Sequence, residues 1–284
     1  MPVRCFLLHR LANHFLCVTG LEGSEERARR LAMETIVVFD CETDRVFDRT
    51  RRCTTKAAGE TRLEQIDEMQ CTIACALLVP CDPVARLRPP AEVLEDAAEL
   101  VCWRDECPSG QPFAEMLRAF DDAVLIYGFN QLDFDMPLLR KYYRGAGAQE
   151  RYMRHRLKCV DVFSNVRLLT TRWVSLNDLL CANALPAKSG SGVNAVRLWD
   201  QIQMSTDAAE IADGRAALRT YCMHDVDRTT RVALLHRPLL PFANGSYERL
   251  GNGAFGMASA LASAQCAAAV ETHCSARSQI LTKS

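Results

Sequence analysis

The sequence predicts an α/β domain over residues 34–242, and three observations lead there. Apolar, β-branched runs of strand length alternate with amphipathic helical stretches. Hydrophobic residues make up 49% of a 284-residue chain, enough for a large core, while charged residues stand at the ordinary 24%. Punctuating residues such as Pro80, Gly128 and Pro137 fall where one pattern hands over to the next.

Taken in order, Ile36–Cys41 reads as a buried strand and 44–62 as a polar, Arg- and Thr-rich loop. Cys71–Val79 is a second strand closed by Pro80, and Glu99–Trp103 a third. Phe113–Phe120 reads as a helix, Ala123–Tyr127 as a strand ending at Gly128, and Pro137–Tyr143 as the helix after it. Leu157–Phe163 is a fifth strand and Ser175–Cys181 a short helix. Asp213 is the expected N-cap of a helix running to about Leu235.

Residues 1–33 are expected to be a dispensable N-terminal extension, with Met33, just before the first strand, as the natural start. Residues 243–284 are a Gly-, Ala- and Ser-rich, low-complexity tail. The 14 cysteines include no CxxC pair and sit mostly in apolar runs, which points to a reduced chain in the nucleus or cytoplasm, not a secreted one. No apolar run approaches the ~18 residues of a membrane span. The net charge of −1 advertises no nucleic-acid binder globally, yet it leaves room for a local basic groove. Arg140–Arg144 and Arg151–Lys158 are basic stretches that suit such a groove or a solvated helix face equally.

Three acidic motifs stand out. Asp40 and Glu42, two apart on a strand, share one side of it, and unpaired carboxylates held there call for cations or solvent. Asp135 follows Asn130 and Phe134 at a strand-to-helix junction, where helix capping is the plain alternative. Tyr221 and Asp225, four apart on a helix, project into one space, as any surface pair at that spacing does. Hard oxygen ligands of this kind suit magnesium or manganese.

As a set, the three motifs resemble those of the 3′–5′ exonuclease domain of family B DNA polymerases, a ribonuclease H-like fold with four acids and a tyrosine. Asp40-Cys41-Glu42 matches the first motif, Asn130 with Phe134 and Asp135 the second, and Tyr221 with Asp225 the third. Asp161-Val162-Phe163, Ser175-Leu176-Asn177 and Lys188 extend the resemblance to about 200 residues. Thr220 occupies the place of the histidine found in the other branch of the superfamily, so the tyrosine form fits better.

The resemblance implies a ribonuclease H-like mixed β-sheet flanked by helices, and two Mg2+ ions per site, replaceable by Mn2+. Asp40 would bridge the ions, Glu42 and Asp225 would hold the one that activates water, and Asp135 the other. Tyr221 would orient the attacking water. Thr43, Phe129, Asn130, Phe134 and Lys188 would contact the nucleic acid. The implied substrate is the 3′ end of single-stranded DNA, with a DNA polymerase or replication complex as a further partner, in replication, proofreading or repair. An exoribonuclease of the same fold and a non-catalytic nucleic-acid- or polymerase-binding module are the alternatives. The decoys Asp133 and Asp227 are expected to stay outside the site, Asp227 facing solvent or Arg228 and Arg231.

Overall fold

The structure, a computed structural model, describes residues 35–47, 58–80, 90–107, 110–188, 190, 192–235, 237–242 and 246–249. The predicted extension 1–33 lies outside the described residues, as does the predicted tail apart from 246–249.

The elements are β1 (Thr35–Thr43), α1 (Ala58–Glu68), β2 (Cys71–Pro80), α2 (Pro90–Glu95), β3 (Ala98–Trp103), α3 (Ala114–Asp122) and β4 (Ala123–Gly128). They continue with α4 (Asp135–Arg140), α5 (Ala148–Lys158), β5 (Cys159–Asp161), α6 (Val162–Thr170), α7 (Leu176–Ala182), α8 (Gly192–Met204) and α9 (Ala208–Ala233). A two-stranded ribbon, β6 (Leu239–Pro241) and β7 (Tyr247–Arg249), follows.

Five strands form one sheet in the order β3-β2-β1-β4-β5. β1 pairs antiparallel with β2 and parallel with β4; β5 is parallel to β4. This mixed sheet flanked by helices is consistent with the ribonuclease H-like fold.

β1 is central and covered on both faces, which is why its sequence is apolar without alternation. Ile36 and Val38 enter one core with Ile73, Cys75, Leu77 and Val79 of β2 and residues of α7, α8 and α9. Val37, Phe39 and Cys41 enter the other, with residues of α1, α3, α4 and α5. Phe39 lies opposite Ala76 of β2, and the small neighbour leaves room for Phe120, whose ring meets Phe39 edge-on at 4.8 Å.

Several predicted elements move. Within the expected loop 44–62, α1 begins at Ala58. The expected strand Leu157–Phe163 shrinks to three residues, because Asp161 ends it and caps α6 by accepting from the Ser164 N–H. The long helix starts at Asp207, whose side chain accepts from the Ala209 N–H, so Asp213 lies inside α9 and is not its cap. The basic stretch 151–158 is the body of α5, where Arg151 pairs with Asp121 and Arg140 and Arg156 lie over the Tyr152 ring.

On that side of the sheet His155 is 1% exposed. It contacts the Tyr143 hydroxyl at 2.7 Å and the Asp121 carboxylate at 2.8 Å. Burial drives its pKa down to about 4 despite Asp121, so the ring is neutral at pH 7 and the relay is structural.

Gly128, at the end of β4, is required by close approach. A Cβ there would lie 2.6 Å from Oε1 and 2.9 Å from Cβ of Gln131. Gln131 cannot easily yield: it is fully buried, and its Nε2 donates to the Ile126 and Val160 carbonyls. Gly128→Ala should cost about 1–3 kcal/mol of stability, read as a lower urea midpoint with an unchanged slope.

Candidate functional site

Asp40 and Glu42 continue the side of β1 that Ile36 and Val38 occupy, so the strand turns from apolar to acidic along one face. α9 crosses this face, its Tyr221, Cys222, Asp225 and Val226 all buried. The Cys222 thiol donates to the Asp40 carbonyl at 3.6 Å and anchors the helix to the strand. The ligand atoms of Asp40, Glu42 and Cys222 lie within 4.8 Å of one another. Asp135, in the first turn of α4, reaches β1 from its other neighbour, accepting from the Cys41 N–H at 3.1 Å.

These carboxylates feel one another. Burial, then Asp135 and Asp225, hold Asp40 well above the usual carboxylate range. Burial, then Asp40 and Asp225, do the same to Glu42. Burial pushes Asp135 up to about 7, against the opposing effect of the Cys41 N–H. Asp225 is raised by burial even though the Lys188 ammonium sits 2.6 Å from its Oδ2. Burial, then Glu42, raises the Tyr221 phenol further from ionisation. Lys188 moves the other way: burial would lower it, but Asp225 and Asp40 outweigh burial and keep the ammonium charged.

The donor set suits a divalent cation. Four carboxylates are drawn together; the Lys188 ammonium lies against Asp225, and the Arg62 and Arg228 guanidinium groups act on Asp135 and Asp225, yet burial still holds all four carboxyls above their usual range. Oxygen donors match magnesium or manganese, and Cys222 adds a softer donor that the sequence reading did not anticipate. Its only signal is its place one residue after Tyr221, which does not reveal which way a helix is turned.

The other expected contact residues divide. Lys188 joins the cluster, and its backbone N–H donates to Asn177 Oδ1. Gly190 lets this segment pass close to the tyrosine, since a Cβ there would lie 3.1 Å from Tyr221 Cε2. Asn130 is left-handed, φ 66°, which Asn tolerates better than most residues, and its buried Oδ1 has no hydrogen-bond partner among the described residues. Phe129 is half-buried against Phe163, and Phe134 against Phe47. Thr43 is buried and donates to the Arg45 carbonyl, a contact internal to its own turn.

Asp133 is exposed, and Asp227 pairs with Arg228 and Arg231. Asp161 holds the second motif in place. Its carboxylate accepts from the N–H groups of Asn130 at 2.9 Å, Leu132 at 3.0 Å and Ser164 at 3.2 Å. Burial raises its pKa while these donors offset part of the rise.

Two predictions come from this geometry. Asp161→Ala strands three backbone donors and should cost roughly 3 kcal/mol or more, measured by chemical denaturation. The second concerns pH. The Asp135 carboxyl in the fold keeps its proton up to about 7, whereas the unfolded chain releases it near 3.8. The folded state therefore binds the extra proton between these values, and the stability this confers is lost as pH rises through about 7. In EDTA, Asp135→Asn should thus gain in melting temperature relative to the parent as pH rises from about 5 to about 8. Magnesium should narrow that gap.

No protein-family model matches the chain, and no curated protein matches it. Among solved structures, the fold is similar to the family B DNA polymerase from the hyperthermophilic archaeon Pyrobaculum calidifontis, with a TM-score of 0.41 and 15% identity. The similarity covers 70% of this chain and 24% of that chain, so the present sequence spans about a quarter of that polymerase's length.

Proposed function

We propose that residues 34–242 form a metal-dependent 3′–5′ exonuclease acting on single-stranded DNA ends in replication, proofreading or repair. One observation carries the reading: Asp40, Glu42, Asp135 and Asp225 come from three separate elements to one end of β1, each raised in pKa by burial, with Tyr221 beside them. A binding module gains nothing from so costly a cluster. A hydrolase that loads cations does.

Asp40, Glu42 and Asp225 would hold one or both Mg2+ ions, with Asp135 completing the set. Such ions, when bound, lower the pKa of water and neutralise charge on the leaving oxygen. The chain's own groups do the rest. Tyr221 stays protonated, so its hydroxyl can orient a water by hydrogen bonding but cannot act as a general base. Lys188 tempers the negative field that would otherwise repel a phosphodiester. Asp161 fixes the Asn130–Asp135 loop so that Asp135 meets Cys41.

The test is degradation of an end-labelled single strand with and without magnesium. Asp40→Ala should reduce the rate by about a thousandfold or more, the equivalent of several kcal/mol of lost charge stabilisation. Tyr221→Phe should cost less, about tenfold to a hundredfold, because only orientation is lost. Mononucleotide release from the 3′ end supports the proposal, and cutting of a circular strand contradicts it. Matched DNA and RNA strands separate a deoxyribonuclease from an exoribonuclease.

A further inference from the structure

An aromatic row leaves the candidate site along the same edge of the sheet. β1, β4 and β5 are parallel neighbours, so their C-terminal ends lie side by side. The pairing of β1 with β4 ends at Val38↔Tyr127, two residues before Asp40 and two before Phe129, and Phe129 packs against the same core as Val38 and Tyr127. Phe129 meets Phe163 at 5.6 Å between ring centroids, and Phe163 meets Trp173 at 4.5 Å, both edge-on.

The row begins half-buried, passes through a buried ring and ends in solvent. Phe163 is 2% exposed and Trp173 62%. The contact with Phe163 braces the indole, and most of Trp173 stays open to solvent. Around it, Leu168 is 80% exposed and Leu169 47%, a concentration of apolar surface that α6 does not bury. Arg167 and Arg172 are exposed beside it, and Arg172 also reaches the Phe242 carbonyl. An open indole with apolar neighbours and flanking guanidinium groups has the chemistry of a base-stacking platform on a phosphate backbone.

We propose that Trp173, braced by Phe163 and Phe129, stacks on a base of the single strand whose 3′ end lies in the carboxylate site. The proposal rests on the exonuclease reading for its substrate. It adds the residue that grips the strand away from the reacting bond: the row runs outward from Phe129 through Phe163 to Trp173, so the indole would meet a base inward of the 3′ terminus. Arg167 and Arg172 supply the salt-dependent part of that grip.

The test uses the full chain and a single-stranded oligothymidylate of about 15 nucleotides in EDTA, where the strand stays intact. Loss of one base stack should weaken binding roughly tenfold in Trp173→Ala, while Trp173→Phe stays within about threefold of the parent. Strand binding should quench a part of the tryptophan emission that is missing in Trp173→Ala. An abasic nucleotide scanned inward from the 3′ end should lower affinity most at one internal position, and Trp173→Ala should remove that dependence. Parental affinity in Trp173→Ala, or a flat abasic scan, overturns the platform. So does a concentration-dependent dimer that Leu168→Ser dissolves, because a second copy would then cover the patch. The two readings fail separately. A chain that degrades DNA but is indifferent to Trp173→Ala loses only the platform. One that binds through Trp173 yet releases no nucleotide in magnesium loses only the exonuclease.

Discussion

Four carboxylates held close together in a protein interior are the constraint around which this fold is arranged. Left alone they repel and lose solvation, and their raised pKa values register both effects. The protein tolerates them because each is fixed by a different device. Asp40 and Glu42 are carried by the central strand, whose pairing with β2 runs through both. Asp135 takes a backbone N–H from Cys41, and Asp225 takes the Lys188 ammonium. None of these devices removes the mutual repulsion of the carboxylates, which is the feature the proposed cation binding rests on.

The supports are as specific as the site. Asp161 gathers three N–H groups and thereby sets the loop that delivers Asp135. Gly128 and Gln131 let that loop leave β4 tightly. Cys222 ties α9 to β1, so Tyr221 and Asp225 arrive together. Gly190 brings the Lys188 segment against Tyr221. Strand, loop and helix thus meet through contacts between residues tens to nearly two hundred positions apart in the chain, and the site is only as precise as those contacts.

The two faces of the sheet divide the work. The core with α1, α3, α4 and α5 is closed by aromatic packing and by the neutral His155 ring bridging Tyr143 and the Asp121 carboxylate. The core with α7, α8 and α9 opens at its edge into the carboxylates and the aromatic row. Basic side chains that look in the sequence like a nucleic-acid patch are partly committed to the first face, Arg151 of α5 holding Asp121 and Arg156 of α5 and Arg140 of α4 lying on Tyr152.

By itself the sequence determined the α/β class, the four longer strands of the main sheet and the three acidic motifs. Strands covered on both faces must be continuous apolar runs, and metal-type carboxylates keep their spacing wherever the chain goes. It did not reveal α1, α2, α5, α6, α8 or the β6–β7 ribbon. α5 is rich in charge and buries only Tyr152 and His155, and so small an apolar stripe leaves no periodic signal. It placed the start of α9 at Asp213 because any exposed Asp before a helical pattern resembles a cap; only the bond from Ala209 N–H to Asp207 distinguishes them. Tertiary structure alone decided that Cys222 faces Asp40, that Asp161 serves the Asn130 loop and that Trp173 stands at the end of a row from Phe129. Each is a contact between distant segments, and local pattern carries no information about which segments fold onto one another.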